Sequence, residues 1–64
     1  MFDKIKINYN LYVVTNLLEK HNIIYAREDD NIFIFDYEDY DEVTAILDGA
    51  NIDYEYLGEY VETE

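Results

Sequence analysis

A chain of 64 residues with no cysteine, no proline and a formal net charge of −12 is one small domain, held together by packing or by association rather than by staples. The lack of cysteine excludes a disulfide framework and a thiolate metal site. A chain that is 50% apolar and 17% aromatic is not an acidic disordered tail, and no stretch has the length of a signal peptide or membrane span, so a cytoplasmic protein with no membrane partner is expected.

The charge is segregated. Lys4, Lys6, Lys20 and Arg27 are the only basic residues, against Asp3 and Glu19 in the same stretch, so residues 1–27 carry a net +2. Residues 28–64 hold 14 acids and no base. Self-repulsion of this size works against a small fold, which points to a use for the acid.

Lys4 to Tyr9 alternates with a period of two, placing Ile5 and Ile7 on one face and the lysines on the other, as in a half-buried antiparallel strand. From Asn10 the period changes. Leu11, Val14, Leu17 and Leu18 recur at helical spacing, with Asn10 as N-cap and Asn22 as a left-handed stop. Ile23 to Arg27 reads as a second strand, and Glu28-Asp29-Asp30-Asn31 as a hairpin turn into a third, Asn31 to Asp36, centred on Ile32-Phe33-Ile34-Phe35. Asp39 stands at capping-box spacing before Glu42 and opens a second helix that buries Val43, Ile46 and Leu47. Gly49 is expected to end that helix at positive φ. Ile52 to Leu57 alternates as a fourth strand, Gly58 permits a break or bulge, and residues 58–64 are expected to fray as a tail.

The order β-α-β-β-α-β lets the two halves be superposed at an offset of 29 residues: Ile5 on Ile34, Val14 on Val43, Leu18 on Leu47, Asn22 on Asn51, Ile23 on Ile52 and Tyr25 on Tyr54. Two such βαβ units predict an α+β fold, a ferredoxin-like βαββαβ sandwich with a four-stranded antiparallel sheet in strand order 4-1-3-2 and two helices on one face. The same offset sends Ile32 and Ile34 toward the helices and leaves Phe33, Phe35 and Tyr37 on the open face. With Ile24, Ala26 and Leu57 these would form an apolar association patch. Asp53 and Glu55 are expected across from Lys4 and Lys6.

Chemistry has little to work with. There is no serine, one histidine and three threonines, so no nucleophilic triad assembles, and no enzyme is expected. His21 fits a structural role at a helix C-terminus. Asp36, Glu38, Asp39, Asp41 and Glu42 are hard oxygen donors, but Tyr40 interrupts the alternation an EF-hand requires, so neither a metal site nor any cofactor is assigned. Phe33 and Phe35 on a central strand resemble, in topology only, the stacking aromatics of RNA-recognition motifs; a charge of −12 argues against direct nucleic-acid binding.

The acid itself remains as the functional feature, with tyrosines placed among the carboxylates. The expected partner-binding residues are Asp29, Asp30, Asp36, Tyr37, Glu38, Asp39, Tyr40, Asp41 and Glu42. Their expected target is a basic, nucleic-acid-binding protein or nuclease whose phosphate-binding groove the carboxylates would fill. The alternative is a structural or regulatory homodimer paired through Ile24, Phe33, Phe35 and Leu57. In size, acidity and lack of cysteine the chain is similar to bacteriophage-encoded inhibitors, including DNA mimics, a likeness that carries no residue roles.

Overall fold

The computed structural model describes residues 1–60. Its elements follow the predicted order: β1 (Phe2–Ile7), α1 (Leu11–Lys20), β2 (Tyr25–Asp29), β3 (Ile32–Asp36), a 3₁₀ turn (Tyr37–Asp39), α2 (Tyr40–Gly49) and β4 (Tyr54–Tyr60). The four strands form one antiparallel sheet in the order β2-β3-β1-β4. Read from the other edge, this is 4-1-3-2. No helix among the described residues is long and apolar enough to cross a membrane.

The helix ends follow from local chemistry. Asn10, in extended backbone, accepts a hydrogen bond on its side chain from the Tyr12 N–H at 3.0 Å and so satisfies one of the free donors that open α1. At the other end Asn22 adopts φ 60, and the Ile23 and Asn22 N–H groups donate to the Leu18 and Glu19 carbonyls. This is a Schellman stop. It recurs after α2, where Asn51 adopts φ 57 and Ile52 and Asn51 donate to Leu47 and Asp48. Positive φ therefore falls on Asn51, two residues past the expected Gly49, which remains helical. In both stops the residue after the asparagine, Ile23 or Ile52, is buried with its helix partner, Leu18 or Leu47.

One core joins both helices to one side of the sheet. It consists of Ile5, Ile7, Val14, Leu18, Ile23, Phe33, Phe35, Val43, Leu47 and Ile52. The presence of Phe33 and Phe35 in it overturns the expected facing of β3. Ile5 pairs directly with Phe33, and Asp3 with Phe35. Directly paired residues share a face, so Phe33 and Phe35 turn to the helices while Ile32 and Ile34 turn to the open side. The offset of 29 holds from the helices onward, but in the strands before them it is 28. Ile7 lies seven residues before Val14, whereas Phe35 lies eight before Val43, with the 3₁₀ turn in the longer connection. A slip of one residue exchanges the two faces of a strand.

Two other expectations change for local reasons. The helical turn begins at Tyr37 rather than after Asp39, so the capping side chain is Asp36, in extended backbone, accepting from the Glu38 N–H at 2.9 Å. Asp39 already has helical φ and makes no side-chain cap. The fourth strand continues past Gly58 to Tyr60, where fraying was expected; residues 61–64 of that expected tail lie outside the described residues. Gly58, at φ 105, stands beside a register shift in which Lys4 pairs with Gly58 and Ile5 with Tyr56, leaving Leu57 as the extra residue of a bulge.

Candidate functional site

The sheet has two distinct ends. At one, β1 and β2 begin and β3 and β4 finish. At the other lie the hairpin between β2 and β3 and the C-terminal end of α2. The nine residues singled out from the sequence divide between these ends. Asp29 and Asp30 occupy the hairpin; Asp36 to Glu42 occupy the opposite end. Ile32, paired with Asp29, and Asp36 are separated by four strand steps, about 14 Å of extended chain. The hairpin acids are therefore not part of the same surface.

Asp36 to Glu42 form the denser group. Glu38, Asp41 and Glu42 are exposed, while Asp36 and Asp39 are half-buried. The Tyr37 N–H donates to the Met1 carbonyl at 3.1 Å, which ties the turn to the start of β1. Asp41 and Glu42 lie in the first turn of α2, where the helix dipole favours carboxylates. That local interaction lets several negative charges crowd there without unwinding the helix.

The two tyrosines expected as anchors differ. Tyr37 is about half exposed at 52% and free to meet a partner. Tyr40 packs inward, its ring 6.5 Å from Phe35 and 5.6 Å, edge-on, from Tyr56. It belongs to the scaffold, because a helix starting at Tyr40 directs that position toward the core rim.

Strand pairing adds acids that no contiguous run announced. Asp3 and Glu59 face each other across β1 and β4 at this same end. Asp3 is buried and accepts a hydrogen bond from the Tyr56 hydroxyl at 3.1 Å. The period of two through Asp3, Ile5 and Ile7 was the available signal: it puts Asp3 on the core face. Tyr56 ionises above the ordinary tyrosine range because it loses solvent and because its hydroxyl donates to the Asp3 carboxylate. Tyr25 is shifted upward likewise, by lost solvent and its bond to Glu19 at 3.1 Å.

Among the described residues one ion pair forms, Lys4 Nζ to Glu28 Oε1 at 3.2 Å. It bridges β1 and β2 across β3 and, being partly exposed, contributes about 0.2–1 kcal/mol. The expected pairing of Lys4 and Lys6 with Asp53 and Glu55 is met only by Glu55, which stands opposite Lys6; Lys4 faces Gly58, and Asp53 precedes the strand. Arg27 lies over the Phe33 ring, its guanidinium carbon 5.2 Å from the centroid, and donates to the Asp30 carbonyl. No Lys or Arg neutralises the group from Asp36 to Glu42 in the described residues. Nor do three His, Asp or Glu side chains there converge to hold a metal ion. His21 is the C-cap of α1 and lines a shallow cleft with Leu17, Glu42 and Ile46.

Comparison with protein-family models, with curated proteins and with solved structures finds no match for this chain.

Proposed function

We propose that the chain is a non-enzymatic binding protein that docks its acidic end on the basic surface of a nucleic-acid-binding protein or nuclease, in the place of phosphates. The scaffold, on this reading, is a ferredoxin-like sandwich with right-handed βαβ crossovers. The observation that carries the proposal is the group Asp36, Glu38, Asp39, Asp41 and Glu42, held on a capped turn and a helix start without a cationic partner among the described residues. The backbone that carries these carboxylates is fixed and needs little reordering on binding, so more of the attraction to Lys and Arg remains as affinity and on-rate. Tyr37, exposed beside them, supplies an aromatic anchor. Phe33 and Phe35 are buried, so they cannot stack on bases, and nucleic acid itself is not the proposed ligand.

The test is affinity capture from nuclease-treated lysate on the immobilised chain, eluted with a salt gradient, beside a variant with Asp39, Asp41 and Glu42 changed to Lys. One nucleic-acid-binding protein should be retained by the unaltered chain and lost by the variant. Adding the chain should then displace DNA or RNA from that protein. A diffuse set of proteins released at low salt from both columns would sink the proposal, as would a captured protein whose nucleic acid is not displaced.

A further inference from the structure

The open side of the sheet differs from the rest of the surface. Phe2, Ile24, Ala26, Ile34 and Tyr60 line a shallow apolar groove there, about 340 Å³ in volume, and no described element covers it. Ile24 is 86% exposed and Phe2 40%.

The charges on this side partly cancel. Lys4 is paired with Glu28, and Lys6 stands opposite Glu55. Asp36, paired with Phe2 at one margin, and Asp29, paired with Ile32 at the other, are left over. In a chain of net charge −12, most of the acid lies off this side, which carries its central apolar groove between two marginal carboxylates.

We infer that the open face of the sheet is where two copies of this chain associate, face to face. A basic partner would be met by acid, most of which lies elsewhere. A second copy is itself strongly negative and approaches at least cost where the two surfaces carry the least uncompensated charge. Association through the sheet edges is disfavoured, since β4 carries the Leu57 bulge and β2 a register shift between Arg27 and Asp29. A specific interface takes about 800 Å² from each partner, under a fifth of the 4472 Å² surface of this chain. The face differs from the expected patch: Ile24 remains, but Phe2, Ile34 and Tyr60 take the place of Phe33 and Phe35.

Sedimentation equilibrium at several protein concentrations, in low and in high salt, tests the inference. Dimer should form, and its fraction should rise with salt as repulsion between the copies is screened. Docking through the acidic end would respond to salt in the opposite direction. Ile24→Glu, at a position exposed enough to leave the fold intact by circular dichroism, should weaken self-association about tenfold or more. Tyr12→Glu, at an exposed position on α1, should leave it unchanged. A monomer under all conditions, or a dimer indifferent to Ile24→Glu, overturns the inference. The variant reversed at Asp39, Asp41 and Glu42 should still dimerise, so loss of the docking reading and loss of this one are separable.

Discussion

Replacing Phe33 by Ala tests the facing of the central strand, on which the identity of both surfaces depends. Phe33 is fully buried, with its ring 5.5 Å from Tyr25 and under the Arg27 guanidinium. Truncating a buried phenylalanine costs about 3–5 kcal/mol through lost transfer energy and the cavity left behind. At about 0.05–0.15 kcal/mol per residue, a domain of this length has about 3–10 kcal/mol in total. The variant should therefore be largely unfolded or lose most of its urea transition. Ile34→Ala, one residue along but on the half-buried open side, should cost about 1 kcal/mol. Urea titrations followed by far-ultraviolet circular dichroism, at one fixed protein concentration so that any association contributes equally, would compare them. If Ile34→Ala were the more damaging and Phe33→Ala nearly silent, the strand would face the other way, and the apolar surface would have to be redrawn around the phenylalanines.

The paired helix stops make a second prediction. Asn51→Ala forces a residue with a Cβ into φ 57 and should cost about 1 kcal/mol, or a fall of about 4–8 °C in Tm, whereas Asn51→Gly should change Tm little. An unchanged Tm in the alanine variant would mean that the left-handed turn is not needed. Stability should also fall in alkali. Tyr25, Tyr54 and Tyr56 all ionise above the ordinary value of 10.0, each chiefly because burial disfavours the charged phenolate. The fold thus prefers their neutral forms. Their contribution is whole below pH 10.0 and is lost as the pH rises past it through the higher folded values. Thermal melts across this range should show the decline, and Tyr25→Phe should make it shallower. A Tm that holds steady well above pH 10.0 would contradict the burial argument.

Much of this fold is written in short stretches. The alternation of Lys4 to Ile7, the helical spacing of Val14 with Leu18 and of Val43 with Leu47, the cap at Asn10 and the left-handed turn at Asn22 each depend on residues a few positions apart, and each is realised. The match of Asn22 and Ile23 with Asn51 and Ile52 pairs the helix ends, although positive φ falls on Asn51 and not on the expected Gly49. The acidic site was legible as a run but not as a surface. Its hairpin members lie at the far end of the sheet, Tyr40 turns inward, and Asp3 and Glu59 join it only through strand pairing.

The sequence by itself determined the element order, the stop of α1 at Asn22 and the sign of the electrostatic field, because these arise from backbone preferences, hydrophobic periodicity and composition. Only the tertiary structure decided which side of β3 is buried. A run of four apolar residues has no polar alternation to mark its face, so packing against β1 and the helices makes the choice. One additional residue before α2 was enough to turn Phe33 and Phe35 inward, leaving Ile34 outside with Phe2 and Ile24.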